Sequence, residues 1–184
     1  MSAINPFAAP DELEVVRRFI NTLDIESGID GFATLDGTRV WLESWGLAEP
    51  GDPTSERDRT DIVALREALR EAAEANHGST RVSDEAAHVL TDAARYAEIR
   101  FGPTGPAFQA TGTGVDHALG TLASLVIKAH ADGTWARLKV CGNDACRWAF
   151  YDHARNRTSR WCSMSTCGNR MKARAYRARL TPAR

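Results

Sequence analysis

Cysteine is absent from the first 140 residues of this 184-residue chain, and all four cysteines lie in the last 44 residues. No apolar run reaches the roughly 20 residues that a membrane-spanning helix needs, because the most apolar stretch, residues 118–129, is interrupted by Gly120, Ser124 and Lys128. The opening residues, MSAINPFAAPDELEVVRR, lack the basic segment and apolar run of a secretory signal. We therefore expect a cytoplasmic protein without membrane association, in which thiols stay reduced and disulfides are rare.

The sequence also lacks the short motifs of common catalytic and nucleotide-binding sites. It contains no G-x-S-x-G, no GxxxxGK[ST] and no Gly-x-Gly-x-x-Gly after a convincing strand. The five histidines are scattered, and no two have the i, i+4 spacing of a helical zinc site. We expect no catalytic residues and therefore a protein that is not an enzyme.

The chain does have a strongly uneven charge distribution behind its formal net charge of −1. Residues 141–184 contain ten Lys/Arg and two Asp/Glu, a net charge of +8. Residues 1–140 contain 13 basic and 22 acidic side chains, a net charge of −9. This asymmetry indicates an acidic body and a basic arm that binds an anionic partner. The alternative is that the two oppositely charged halves dock on each other.

Hydrophobic periodicity predicts that the acidic part is mostly helical, with only a little sheet. Four long helices are predicted, and they cover residues 11–23, 60–76, 83–97 and 115–131. A shorter helix is predicted to begin at Thr38, and a strand is expected over residues 108–113. The Asp132-Gly133 pair ends the last long helix. We predict a mainly α fold with small β content (α+β), divided into a helical domain over residues 1–133 and a small domain over residues 134–184, which packs against that helix.

The cysteines form two close pairs, Cys141-x4-Cys146 and Cys162-x4-Cys167, separated by fifteen residues. Four thiolates fill the tetrahedral coordination of a structural Zn²⁺ and leave no open position. The first pair encloses Gly and Asn, which suit a tight turn between two short strands, and the second pair opens a helix. We predict a treble-clef-like zinc finger that holds one structural Zn²⁺. Disulfides, an iron–sulfur cluster and free thiols are the alternatives.

Basic side chains are concentrated around this predicted zinc site. Some lie between the two cysteine pairs, and others recur at i, i+4 and i+7 on the predicted C-terminal helix. Arginine suits bidentate contacts to phosphate or guanine, and an asparagine amide can read an adenine edge. The predicted nucleic-acid-binding residues are Arg155, Asn156, Arg157, Arg160, Arg170, Lys172, Arg174 and Arg177. The alternative is a solvated basic face, in which Arg170 braces the loop beside the metal.

Several residues have both a functional and a structural interpretation. The aromatic residues around the finger, such as Trp148 and Trp161, could stack on single-stranded bases, but we favour a miniature core. Trp41 and Trp45 could line a pocket, although their four-residue spacing is more typical of core. Asn21 could contact a small ligand, and we favour the simpler interpretation that it ends a helix.

Four short motifs in the C-terminal part occur in the order found in one known family. They are CRWAFYD at residues 146–152, ARNR at 154–157, RWCSM at 160–164 and CGNR at 167–170. Together they resemble the CGNR zinc-finger family over residues 141–172. The resemblance implies a zinc finger that touches DNA.

Upstream, FINTL at residues 19–23 and WLESWGL at residues 41–47 resemble the companion N-terminal domain of that family, which is called ABATE. The resemblance implies a bacterial, stress-related transcription regulator whose N-terminal domain receives an unknown small-molecule or stress signal. A regulator that reads palindromic sites would be a homodimer, although the chain has no coiled coil. The alternatives are a protein-interaction module that uses the basic finger, and a treble-clef metal-dependent nuclease that uses His153 and Asn156.

Overall fold

The computed structural model describes residues 8–78 and 80–180. Within them the helices are α1 (Leu13–Ile20), α2 (Leu35–Ser44), α3 (Glu56–Ala75), α4 (Asp84–Ala94), α5 (Gly114–Ala131) and α6 (Asn169–Leu180). Antiparallel hairpins pair β1 (Leu23–Asp24) with β2 (Ile29–Asp30), β3 (Ala97–Gly102) with β4 (Gly105–Ala110), and β5 (Leu138–Val140) with β6 (Ala149–Tyr151). The fold is therefore mainly α with small antiparallel sheets, as the sequence predicts. No helix in this described part of the chain is long and apolar enough to cross a membrane.

Polar side chains set where the helices of the body begin. Ser55 and Asp58 form a reciprocal capping box, so α3 begins one turn earlier than its apolar periodicity predicts. Thr34, rather than the predicted Thr38, caps α2 by accepting a hydrogen bond from Gly37 N at 3.1 Å. Thr38 lies inside the helix and donates its hydroxyl hydrogen to the carbonyl oxygen of Thr34 at 3.0 Å.

The strand predicted over residues 108–113 overlaps β4, but the sequence interpretation misses β3 and its pairing with β4. The register of this hairpin pairs Ile99 with Phe108 and Phe101 with Pro106, so residues predicted to end a helix or to break the chain lie in strand β3 instead. The sequence from Phe101 to Pro106 is rich in Gly and Pro, which predicts a break between elements. In the structure this segment contains the turn that joins β3 to β4.

The main hydrophobic core includes the finger hairpin as well as the helices. Its fully or almost fully buried side chains come from the helices and from β5–β6 and include Val16, Phe19, Ile20, Leu42, Ile62, Leu65, Leu69, Leu122, Leu138, Val140 and Ala149. The hairpin packs mainly on α1 and α3, and the turn at residues 135–137 packs on α5. The small domain therefore contacts α5 through residues 135–137, as expected, while the apolar faces of α1 and α3 cover its strands. The predicted division of the chain between residues 133 and 134 stays a prediction.

Gly120 lets α5 approach the base of the β3–β4 hairpin at van der Waals distance. A Cβ atom at this position would overlap with the main-chain carbonyl group of Tyr96. The same carbonyl oxygen accepts a hydrogen bond from Thr111 N at 2.7 Å, so it has little freedom to move. The absence of a side chain at residue 120 is therefore required by the packing.

A Gly120→Ala variant is expected to be less stable than the wild-type chain, although alanine is the better helix former by about 1 kcal/mol. Overpacking against a main-chain carbonyl should outweigh that gain and lower the free energy of unfolding by about 2 kcal/mol. Thermal melting should show a Tm lower by about 4–8 °C. Thr121→Ala, at the next position of α5, is the control and should change little. Equal stability of both variants would contradict the close approach.

Candidate metal centre and basic helix

The four cysteine sulfur atoms converge on one point in the structure. All four Sγ atoms lie within 4.8 Å of one another. The distances from Cys162 Sγ to Cys146 Sγ and to Cys167 Sγ are both 3.8 Å. A tetrahedron of Zn–S bonds of about 2.3 Å has edges of about 3.8 Å, so the donor set fits zinc. The finger thus forms a site for one structural Zn²⁺, as predicted. Within residues 8–78 and 80–180 no other three His, Cys, Asp or Glu side chains converge in this way.

The first pair of ligands is positioned by a tight turn after β5. Asn143 O accepts hydrogen bonds from Cys146 N at 2.8 Å and from Arg147 N at 3.0 Å. Arg147 adopts a left-handed φ of 49°, which turns the chain back towards β6. The Asn143 side chain is buried, and its Nδ2 lies 3.7 Å from Cys167 Sγ, where it can donate to a thiolate. This amide therefore links the two ligand pairs and orients a ligand of the second pair.

The second pair of ligands leads directly into the basic helix. A short π-helical turn spans Met164–Gly168 and continues without a break into α6. Ser163 caps this turn by accepting a hydrogen bond from Thr166 N at 3.3 Å. A Cβ atom at Gly168 would overlap with the Met164 side chain and crowd Trp161. The glycine therefore keeps the turn tight around the metal.

The thiols need a cation in order to ionise together. Hydrogen bonds from the Cys146 and Cys162 thiols lower the pKa of Cys141 to about 2. The hydrogen bond with Cys141 raises the pKa of Cys146 to about 12, and the same interaction raises the pKa of Cys162. The opposite directions of these pKa shifts show that the thiols oppose one another's ionisation. A bound Zn²⁺ removes this conflict, and its binding releases protons.

The aromatic residues of the finger act mainly as its core. Phe150 and Tyr151 are buried. Trp148 and Trp161 are partly buried and pack against the cysteine cluster. These placements leave little of the four rings for stacking on bases, in line with the interpretation that favours a miniature core.

The buried carboxylate of Asp152 organises the loop that carries three of the predicted arginines. It accepts hydrogen bonds from Lys139 Nζ at 2.9 Å, from Ala154 N and Ser159 N at 3.0 Å, and from Ser159 Oγ at 2.7 Å. Lys139 Nζ also donates to the main-chain oxygen of Arg157 at 2.5 Å. The backbone of residues 152–159 is therefore held against β5. The charged side chains of the loop remain exposed.

All eight predicted nucleic-acid-binding residues are exposed in the structure. None of the α6 residues, Asn169–Leu180, is buried, so this helix projects from the finger with its arginines accessible. Arg170 and Arg160 are among those that also make structural contacts. Arg170 pairs with Glu26 Oε1 of the β1–β2 turn at 2.5 Å, and the Arg160 guanidinium lies 5.8 Å from the centroid of the Trp161 ring. Arg170 thus braces the base of α6 against the body as well as lying on its basic face.

A clasp between the body and the finger is the feature that the sequence interpretation does not find. Asn21 ends α1, as predicted, but its side chain also pairs with the backbone of β6. Its Nδ2 donates to Ala149 O at 2.9 Å, and its Oδ1 accepts from Ala149 N at 2.7 Å. The buried Arg70 donates to Arg147 O at 2.9 Å and to Ile20 O at 2.6 Å. The partners are at least 50 residues apart, so local patterns carry no signal for these contacts.

Two protein-family models match this chain. The ABATE family model, described as "Putative stress-induced transcription regulator", matches residues 13–145. The CGNR zinc-finger model matches residues 137–180. The two matches overlap at β5 and the first cysteine ligand. No curated protein matches the chain significantly.

Proposed function

This chain belongs to the ABATE family, and on that premise we propose that it is a transcription regulator whose zinc finger presents an arginine-rich helix to duplex DNA. The observation that carries this proposal is α6, an exposed helix that starts at the zinc ligands and bears Arg170, Arg174 and Arg177 on one face. The metal supplies the fold of the finger, and the helix supplies the cationic surface.

The dimensions of α6 suit the major groove. Twelve helical residues span about 18 Å, and the groove is about 12 Å wide and admits an α-helix. The exposed arginines of the loop that Asp152 organises add further donors for phosphate oxygens. Arg157 has a left-handed φ of 53°, a conformation that glycine or asparagine adopts more easily.

The charge distribution supports binding by the finger and not by the body. Residues 141–184 carry a net charge of +8 and residues 1–140 a net charge of −9, so the body should be repelled by DNA. The Arg170–Glu26 ion pair is the kind of contact that the docking alternative invokes. That ion pair lies at the first turn of α6, and the side chains of Arg174 and Arg177 further along the helix are exposed.

Electrophoretic shift titrations against salt test the proposal. Binding to genomic fragments should weaken steeply with salt, and Arg174→Ala and Arg177→Ala should each weaken it and reduce the salt slope by about 1. Arg57→Ala removes an exposed arginine of α3 and is the matched control, which should bind like the wild-type chain. Absence of binding at low salt, or an equal effect of the control, would contradict the proposal. A protein-interaction module would instead show self-association that Arg174→Ala reduces, without any DNA shift.

The proposal assigns no catalytic step to the protein. Four thiolates complete the tetrahedron of a structural zinc and leave no position for water or substrate. In the nuclease alternative His153 would be a catalytic residue, but its Nε2 lies 2.9 Å from the carbonyl oxygen of Ala8. We propose that the helical N-terminal domain receives the signal, and that the homodimer expected of a regulator of palindromic sites forms through this domain.

A further inference from the structure

A groove of about 520 Å³ lies between the body and the finger. Its walls include Trp41 of α2, Trp45 just after that helix and Trp148 of the finger. Its polar groups include Arg17 and Arg18 of α1 and Asn21 just after that helix. None of the described residues that line it is a carboxylate. The combination of indole rings with guanidinium groups is what recognition of a planar anion requires.

The tryptophan side chains form aromatic walls and are not closed core. Trp41 and Trp45 pack against the hydrophobic core but keep part of their surface accessible. Their ring centroids are 5.8 Å apart with an interplanar angle of 32°. Because π-faces prefer offset-stacked or edge-on partners at such distances, an aromatic ring fits this groove better than a saturated one. Trp41 and Trp45 thus pack against the core, as their helical spacing predicts, and their accessible surface also lines the groove.

The charge in the groove is positive. Arg17 and Arg18 share a single carboxylate, that of Glu14, at 2.6 and 2.7 Å, so the three groups carry a net charge of +1. Arg18 is half-exposed, and in the described part of the chain it donates to Glu14 through Nε. Its two terminal nitrogens remain for another acceptor. The Arg18 guanidinium lies 5.4 Å from the Trp45 ring, so a ligand anion would meet a cation beside an aromatic surface.

The floor of the groove belongs to the clasp that holds the finger. Asn21 pairs with Ala149 through both amide atoms, and Arg17 Nη1 lies 3.4 Å from the same Ala149 oxygen. Ala149 begins β6, which leads directly into Asp152 and the arginine loop. A ligand that contacts these side chains therefore contacts the groups that position the finger.

We propose that this groove binds a planar aromatic carboxylate, with its ring against the indoles and its carboxylate paired with Arg18. The role of this groove as the signal input of a regulator rests on the proposed function. Binding of an aromatic carboxylate in the groove does not depend on that function. A saturated acid lacks the π-face, and a neutral arene lacks the charge, so each should bind more weakly.

Isothermal titration of the full zinc-loaded chain tests the site with benzoate and indole-3-carboxylate as probes. Cyclohexanecarboxylate, which lacks the aromatic ring, and benzamide, which lacks the negative charge, are the matched probes. Each should bind at least about tenfold more weakly than benzoate. Trp45→Leu and Arg18→Gln should weaken binding of the aromatic acids about tenfold. Arg18→Lys should recover part of the loss, and Arg95→Gln, which changes an exposed arginine after α4, should bind normally.

Three results would overturn the inference: no saturable binding of either aromatic acid, equal binding of the saturated or neutral probe, or normal binding by Arg18→Gln. If Trp45→Leu fails to fold, the half-exposed Arg18 variant still decides the question. Shift titrations on the same preparations keep the two proposals separate. Salt-dependent DNA binding without acid binding would overturn only this inference, and acid binding without DNA binding would overturn only the proposed function.

Discussion

A Cys167→Ser variant is expected to contain no stoichiometric zinc and to lose the folded finger. The metal site supplies about 10–16 kcal/mol of apparent binding free energy in comparable zinc modules, and that binding energy is folding energy. The core around the cysteines consists of little more than Trp148 and Trp161, so nothing else can replace it. Metal analysis should give less than one zinc per chain, and near-UV circular dichroism should lose the tryptophan signals of the finger.

Loss of zinc should also destabilise the helical body, since Leu138, Val140 and Ala149 of the finger belong to the core shared with the helices. Chelation of zinc from the wild-type chain should therefore lower the Tm of the helical body and abolish DNA binding together. Thr158→Ala, an exposed change in the same module, is the control and should retain zinc and stability. Full zinc release with an unchanged near-UV spectrum would show that the fold does not depend on the metal.

Asp152→Asn is expected to destabilise the protein by about 3–5 kcal/mol in urea unfolding, because it leaves the buried Lys139 ammonium without its counter-charge. The arginine loop should loosen at the same time, so DNA affinity should fall although no DNA-contacting side chain changes. Asp144→Asn makes the same chemical change at an exposed position of the first cysteine turn and should be neutral. A loss of less than about 1 kcal/mol at Asp152 would mean that the carboxylate does not organise the loop.

The pH dependence of the stability difference between the wild-type and Asp152→Asn chains provides an independent check on the role of this carboxylate. Burial by itself raises the pKa of Asp152, but hydrogen bonds from Lys139, Ser159 and Ala154 N outweigh it and hold the pKa below its usual value of 3.8. The ionised carboxylate therefore contributes its full stabilisation above that value and loses it as the pH falls through the lowered pKa. The stability gap between the wild-type and Asp152→Asn chains should be constant at neutral pH and should narrow only in strong acid.

The parts of the molecule that sequence patterns predicted well are those that depend on near neighbours. Two cysteine pairs with short spacing predict short ligand-bearing segments around a zinc ion. Apolar residues at three- and four-residue spacing predict helices whatever lies around them. Strand β3 was missed, although a strand overlapping β4 was predicted, because the apolar residues of β3 and the Gly-Pro turn have no period that separates them from a broken helix. The start of α2 was misplaced by four residues, since Thr34 and Thr38 are both plausible caps and only packing buries Thr38.

Sequence alone determined the zinc site, the mainly α composition and the separation of acidic and basic charge, because ligand spacing, periodicity and charge are local properties of a chain. Tertiary structure decided that Asn21 and Arg70 clasp the finger, that Asp152 holds the arginine loop, and that Trp45 and Trp148 face one groove. These relations join segments up to 128 residues apart, and burial and hydrogen-bond geometry select among the many pairings that the same residues allow.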